Sequence, residues 1–213
     1  MIELREIYQK LFRSLGPQHW WPGETPFEIA VGAILTQNTN WGNVEKAIGS
    51  LKKYRALSAR VIHETSVKKL AGLIRPAGYF NVKALRLKSF IGFLMDAYQG
   101  SMKKMEDEDM NSLREKLLRI NGIGPETADS ILLYALEKPV FVIDAYTKRA
   151  LWRHGIMEYN KSYKEFQDLF HSQLQRDVKL FNEYHALFVR VGQTYCKRKE
   201  PLCDKCPLTG MRR

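Results

Sequence analysis

Asp144 is the residue whose surroundings in the sequence point most directly to chemistry. It follows the apolar run Val140 to Ile143 and precedes Ala145 to Trp152, which has the pattern of a helix. A fixed carboxylate can stabilise a developing positive charge and can orient or deprotonate an attacking water. It can also serve simply as the N-cap of the helix, a position that favours Asp. Both roles are compatible, because a capping aspartate is held rigidly.

The segment Asn121-Gly-Ile-Gly-Pro-Glu-Thr-Ala-Asp129 predicts a tight turn between two helices. Gly122 and Gly124 permit such a turn with outward-pointing N–H groups, and Pro125 suits the first turn of the following helix. Together they predict an anion seat able to hold a phosphate. An ordinary helix corner without a ligand explains the same residues.

The three cysteines, Cys196, Cys203 and Cys206, are clustered near the carboxyl end. So few and so closely spaced thiols do not form a disulfide framework and instead suggest a metal or cluster site in a reducing compartment. Zinc is less favoured, since no histidine lies in the same loop and His185 would have to reach it.

Composition indicates a polyanionic partner. The chain has 34 Lys and Arg against 23 Asp and Glu, a formal charge of +11 over 213 residues, so its field attracts nucleic acid. A basic surface that only maintains solubility is the alternative. Without an apolar run long enough for a bilayer or a signal-peptide pattern, we expect a cytoplasmic protein that does not enter membranes and associates with the nucleoid.

Hydrophobic periodicity predicts an all-α protein. Only Val140 to Ile143 is strand-like, and we interpret it as a buried extended connector that ends at Asp144. Apolar stripes at helical spacing cover Phe27 to Leu35, Val44 to Leu51, Val67 to Ile74, Ala84 to Tyr98, Leu113 to Ile120 and Thr127 to Leu136.

Several motifs in one order resemble the helix-hairpin-helix DNA glycosylases of the endonuclease III type. They are Ile34-Leu-Thr-Gln-Asn-Thr39, Ile74 to Ala84, Leu117 to Asp129, Val142-Ile-Asp144 and Tyr184 to Cys196. The resemblance implies two helical lobes, a barrel over 27–138 and a second lobe from 1–26 and 139–213, with double-stranded DNA bound in the cleft between them. It implies a monomer that hydrolyses a base–sugar bond with Asp144 as the catalytic residue.

Glu126 departs from the bifunctional members of this family. They carry a lysine at the corresponding place, and that lysine forms a Schiff base with the sugar. A carboxylate cannot form an imine, so the sequence predicts a monofunctional glycosylase that leaves an intact abasic site.

The resemblance also assigns the DNA contacts and the base pocket. Gln37 matches the residue inserted into the base stack, beside Asn38, and the hairpin contributes Gly122, Ile123, Gly124 and Thr127. Trp20, Trp21 and Trp41 could form the base pocket, where indole rings favour a flat cation. The combination of Trp20-Trp21-Pro22 with Leu35-Thr-Gln-Asn-Thr39 resembles the branch that removes 3-methyladenine. The plainer alternatives are that Gln37 is a helix-terminal polar residue and that Trp20 and Trp21 pack the joint between the lobes.

The cysteines match the first three ligands of the family's [4Fe–4S] cluster, with Arg212 at the fourth position. Three thiolates leave either an iron with another ligand, a labile cluster, or a loop without metal. Two functional alternatives also stay open. One is a glycosylase for mismatched or oxidised pyrimidines with lyase activity, and the other is a non-catalytic DNA-binding or redox-sensing relative.

Overall fold

The computed structural model describes residues 3–20 and 23–211, and those residues form helices and no β-strand. The all-α prediction is confirmed. The helices are α1 Leu4–Leu15, α2 Pro26–Leu35, α3 Trp41–Lys53, α4 Ala59–Glu64, α5 Val67–Leu73, α6 Phe80–Tyr98, α7 Met102–Glu106, α8 Met110–Leu118, α9 Pro125–Ser130, α10 Ala145–Arg153, α11 Tyr163–Gln173 and α12 Val178–Thr194. No described helix has both the length and the apolar character needed to span a bilayer.

The chain divides into two compact units. The first, the terminal unit, comprises Met1–Trp20 and Pro139–Arg213, and the second, the hairpin unit, comprises Trp21–Lys138. The terminal unit contains Asp144 and the cysteines, and the hairpin unit contains the glycine turn.

Helix α2 lies at the centre of the hairpin unit. Most of its side chains are buried, as expected for a helix that is apolar all round. Thr25 caps its start by accepting a hydrogen bond from the Glu28 amide at 3.2 Å. Its carboxyl end is bound by Lys83 of α6, whose Nζ donates to the carbonyls of Leu35 at 2.7 Å and Ala77 at 2.8 Å. Lys83 thus fixes the position from which the Gln37 loop leaves α2.

Helices α8 and α9 flank the glycine turn and are joined by one ion pair. Arg114 donates to both carboxylate oxygens of Asp129, at 2.6 and 3.1 Å, and the Asp129 side chain is fully buried. A two-pronged pair of this kind fixes orientation as well as distance. Beyond α9 the chain widens into a π-helical turn, Ile131–Ala135, whose side chains are all buried. Sequence periodicity predicted one uninterrupted helix here.

The connector Val140 to Ile143 in the terminal unit is buried and belongs to neither a helix nor a sheet. Its backbone groups bond to side chains of α11 instead. The Phe141 amide donates to His171 at 3.0 Å, Gln167 donates to the Phe141 carbonyl at 2.7 Å, and the Ile143 amide donates to Tyr163 at 3.2 Å. Buried backbone groups require such partners, and these partners determine where Asp144 begins α10.

Helix α12 packs directly on α10. A side chain at Gly192 would collide with Tyr146, because an added Cβ would lie 2.2 Å from the ring. The glycine therefore allows the two helices to approach closely. On its other side α12 contributes to an aromatic core in which Tyr184 stacks on Phe188 at 4.9 Å and donates to the Leu4 carbonyl at 2.8 Å.

Lys83 generates a prediction about stability. Burial, followed by the nearby charge of Arg86, lowers the pKa of Lys83 from 10.5 to about 8. Between these values the unfolded chain binds more protons than the folded one, so this lysine makes stability rise with pH. We expect the free energy of unfolding of the wild type, relative to Lys83→Met, to increase between pH 8 and 10.5.

Denaturant unfolding at several pH values measures this difference. The exposed Lys69→Met variant is the control and should run parallel to the wild type. Parallel curves for Lys83→Met as well would contradict the prediction.

Candidate functional site

Asp144 caps α10 with one carboxylate oxygen, and its second oxygen takes no part in the cap. Its Oδ1 accepts a hydrogen bond from the Thr147 amide at 2.7 Å, which is the N-cap geometry expected of aspartate at this position. The side chain is 11% exposed, so it is largely withdrawn from water without being sealed from it. The N-terminus of α10 places the positive end of its helix dipole against the carboxylate.

The second oxygen of Asp144 faces His185. Asp144 Oδ2 lies 3.5 Å from His185 Nε2 on α12. Burial by itself raises the pKa of Asp144, but the electrostatic attraction and hydrogen bonding of His185, together with hydrogen bonding from Thr147, outweigh it. The net result is a pKa below the ordinary value for aspartate, which describes a carboxylate that stays ionised. Sequence reasoning considered His185 only as a distant zinc ligand.

Trp20 contacts His185, which in turn lies next to Asp144. The indole stacks on the imidazole with ring centroids 5.7 Å apart and planes at 19°, and Trp20 itself is half-buried. Trp20, His185 and Asp144 therefore form one consecutive set of contacts within the terminal unit. Trp41 belongs to the hairpin unit, where its Nε1 donates to Glu45 at 3.1 Å. Trp21 lies outside the described residues.

The glycine turn has the predicted geometry. Gly122 has φ +86°, in the left-handed region that favours glycine, and the Ile123 amide closes the turn on the Ile120 carbonyl at 3.0 Å. Gly124 precedes α9 with extended backbone and, like Pro125 and Glu126, is exposed. Thr127 is buried, and so is Ile123. Glu126 thus lies on the exposed first turn of α9, where a negative charge complements the helix dipole.

The side chain of Gln37 is hydrogen-bonded to the glycine turn and to α9. Its Nε2 donates to the Gly122 carbonyl at 2.9 Å and to the Thr127 hydroxyl at 2.8 Å, and Arg86 of α6 donates to its Oε1. Insertion of Gln37 into a base stack would require both of its donor bonds to break. Asn38 beside it is exposed, with φ +55°.

Two residues on α6 or at its start were not singled out by the sequence analysis. Arg86 lies across the glycine turn, and a Cβ on Gly122 would be 2.3 Å from its Cγ. Tyr79, the residue before α6, is 72% exposed and has a left-handed backbone with φ +46°. An exposed aromatic ring in a strained conformation is a typical mark of a functional position.

The three cysteines line one cavity of about 250 Å³ together with His154 and Arg153. Arg153 donates to the Lys197 carbonyl at 2.7 Å and lies 3.4 Å from the Cys196 Sγ. Arg149, one helical turn earlier, donates to the Cys196 carbonyl at 2.7 Å. These two arginines of α10 hold the loop through its backbone.

A complete metal site is not formed by the residues described. Within 3–20 and 23–211 no three or more His, Cys, Asp or Glu side chains are arranged to hold a metal ion. The chain has three cysteines, one fewer than a [4Fe–4S] cluster takes from cysteine alone. Arg212, at the family's fourth position, lies outside the described residues. The donors present do not fit the full cluster.

The chain matches the family described as HhH-GPD superfamily base excision DNA repair protein over residues 31–176. A Methanocaldococcus jannaschii protein, MJ1434, provisionally named a DNA repair glycosylase, is 48% identical over 205 residues, with 95% of this chain and 92% of the relative covered.

Two solved structures share the fold. The 3-methyladenine DNA glycosylase of H. pylori, MagIII, bound to 1,N6-ethenoadenine, has a TM-score of 0.79 at 29% identity and covers 90% of this chain and 98% of its own. An endonuclease III in a non-covalent DNA complex has a TM-score of 0.84 at 21% identity. The match covers 99% of this chain and 94% of the endonuclease III chain.

The contact between Gly122 and Arg86 predicts unequal effects of alanine at the two hairpin glycines. Gly122→Ala combines positive φ with a collision, so we expect a loss of about 1–3 kcal/mol in the free energy of unfolding. Gly124→Ala is the matched control. Its added Cβ would meet nothing within 4 Å, and stability should stay the same or rise by up to about 1 kcal/mol. Equal losses in chemical denaturation would contradict this account of the turn.

Proposed function

The chain belongs to the HhH-GPD superfamily of base excision DNA repair proteins, and we propose that it is a monofunctional DNA N-glycosylase for alkylated purines. The observation that carries the proposal is the carboxylate of Asp144, which caps α10, is partly accessible and is kept ionised. The substrate is double-stranded DNA with a damaged base. Hydrolysis releases the base and leaves an abasic site.

Asp144 acts on the sugar and on water. Breaking the glycosidic bond builds positive charge on the deoxyribose, and a nearby carboxylate stabilises that charge. The attacking water transfers a proton to Asp144 as its oxygen bonds to the sugar carbon, and the electron pair of the broken bond leaves with the base. Oδ1 is occupied by Thr147, so Oδ2 is the oxygen that serves water or sugar.

Glu126 supports hydrolysis over strand cleavage. An imine with the sugar requires an amine nucleophile, and position 126 supplies a carboxylate on the exposed first turn of α9. The product is therefore an abasic site with an intact backbone.

The aromatic groups beside the carboxylate support a cationic base as substrate. Trp20 reaches Asp144 through the His185 stack, and indole faces attract flat cations. An N-alkylated purine is such a cation, and its base–sugar bond is already weakened. MagIII, a relative of 29% identity, carries 3-methyladenine glycosylase in its name. The family resemblance predicts the same role for Trp21 and Trp41.

The hairpin unit is the proposed grip on DNA. The backbone N–H groups of Gly122 and Gly124 would bind phosphate in the manner of a helix N-terminus. The Ile123 amide is bonded to the Ile120 carbonyl and Thr127 is buried, so these two residues would support the shape of the turn. The formal charge of +11 favours that contact at long range. Extruding a nucleotide leaves a gap in the stack, and the exposed Asn38 and Tyr79 are suited to fill it, since aromatic rings stack on bases. Gln37 remains a predicted contributor once its hairpin bonds are released.

Asp144→Asn separates chemistry from binding. Asparagine still caps a helix, so the fold should persist, while single-turnover excision from methylated duplex DNA should fall by about 100-fold or more. DNA affinity, measured by fluorescence anisotropy, should be unchanged or slightly higher. Asp177→Asn, which alters the exposed N-cap of α12, is the control and should keep wild-type activity. An active Asp144→Asn enzyme would end the catalytic assignment.

The reaction products test the monofunctional and substrate proposals together. Duplexes carrying 3-methyladenine, 7-methylguanine, thymine opposite guanine or an oxidised pyrimidine are incubated with the enzyme, with and without later alkali. We expect breaks in the alkylated duplexes only after alkali. Direct nicking with borohydride trapping would show that a lysine replaces Glu126 in function. Excision of the pyrimidines alone would reassign the substrate.

A further inference from the structure

His185 approaches the candidate catalytic carboxylate on the side that the helix cap does not use. Thr147 occupies Oδ1 at 2.7 Å, and His185 Nε2 lies 3.5 Å from Oδ2. This separation is long for a strong hydrogen bond and short for two charges in a buried setting. Asp144 and His185 therefore interact mainly through charge.

The imidazole cannot leave this position easily. His185 is 4% exposed, Trp20 stacks on one face, and the Phe141 ring meets it edge-on with centroids 6.4 Å apart. The close packing of α12 on α10 at Gly192 and Tyr146 fixes the distance between the two helices. Gain or loss of a proton on His185 therefore changes the electrostatic field at Asp144.

Other ionisable groups on the packed elements are engaged away from the carboxylate. On α12, Glu183 accepts from the Gln18 amide at 2.7 Å. On α10, Arg149 donates to the Cys196 carbonyl and Lys148 to the Lys161 carbonyl. Within the described ranges, the one ion pair of Asp144 is with His185.

On α11, Tyr163 accepts a hydrogen bond from the Ile143 amide, and His171 accepts one from the Phe141 amide. Tyr8 of α1 packs edge-on against Tyr184, one residue before His185. The connector 140–143 contributes apolar side chains. None of these elements supplies a second cation to Asp144 in the part of the chain that is described.

We propose that His185 is a positioning residue that keeps Asp144 ionised in its buried site and so sustains hydrolysis toward acidic pH. The inference rests on the proposed glycosylase function. A carboxylate with little hydration needs a compensating charge or donor. A protonated His185, 3.5 Å from Oδ2, would add a full positive charge to the Thr147 hydrogen bond and the dipole of α10.

Removing His185 leaves burial opposed by the first turn of α10, through the Thr147 hydrogen bond and the helix dipole. The pKa of Asp144 is then expected to rise, because burial favours the neutral acid. Activity should be lost at a higher pH on the acid side and should return to nearly wild-type levels when the pH is high enough to ionise Asp144. A residue that only packs would instead reduce the rate by the same factor at every pH.

The experiment compares pH profiles of single-turnover release of 7-methylguanine from duplex DNA. In His185→Leu the acid limb should move upward by about one pH unit or more. His185→Gln can donate a hydrogen bond without carrying charge. Its acid limb should therefore lie between that of the wild type and that of His185→Leu. His63→Leu, at an exposed histidine of α4, is the control and should superimpose on the wild type. A limb that stays in place in both His185 variants would overturn the proposal.

A second readout is independent of catalysis. In protein made with carboxyl-labelled aspartate, the NMR signal that disappears in Asp144→Asn reports the ionisation of Asp144. It should titrate at higher pH in His185→Gln than in the wild type, and identical titrations would refute the role of His185. Should the wild type release no base while this shift is present, the glycosylase function fails and the electrostatic link between the residues stands.

Discussion

Withdrawal from water governs what Asp144 can do. A carboxylate that is 11% exposed has lost most of the hydration that stabilises its charge, and such groups become neutral unless the protein replaces the lost interactions. Here the replacement comes from the first turn of α10 and from the imidazole of His185. Several contacts in the terminal unit place Asp144 and His185 next to each other. Side chains of α11 bind the connector that delivers Asp144 to the start of α10, and Gly192 lets α12 bring His185 close.

In the hairpin unit, side-chain contacts hold the glycine turn in its conformation. Gly122 supplies the left-handed conformation, and the Arg114–Asp129 pair fixes the flanking helices. Arg86 fills the space that any side chain at position 122 would need and also binds Gln37. The turn, the Gln37 loop and α6 thus form one rigid arrangement, so the glycine has a packing reason in addition to its backbone freedom.

Local sequence signals predicted a large part of this molecule. The glycine turn, the connector and the helical cap at Asp144 each depend on neighbours in the chain, and each is present. The contacts of His185, Arg86 and His154 escaped prediction because their partners are far away in the sequence, at Asp144, Gly122 and the cysteine cavity. The π-helical turn after α9 escaped for a related reason, since an apolar stripe specifies burial and not the helical pitch. The roles proposed for Glu126 and the tryptophans rest on the family resemblance, because these roles concern contacts with DNA and not contacts within the chain.

The most direct test of the account is the structure of the Asp144→Asn protein bound to a duplex that contains an alkylated purine. The substitution removes the charge and keeps the cap, so the complex should accumulate before hydrolysis. The account predicts an extruded nucleotide whose sugar carbon at the broken bond lies next to position 144, with room for one water between them. An extruded nucleotide seated elsewhere, or a duplex bound with its bases all stacked, would contradict it.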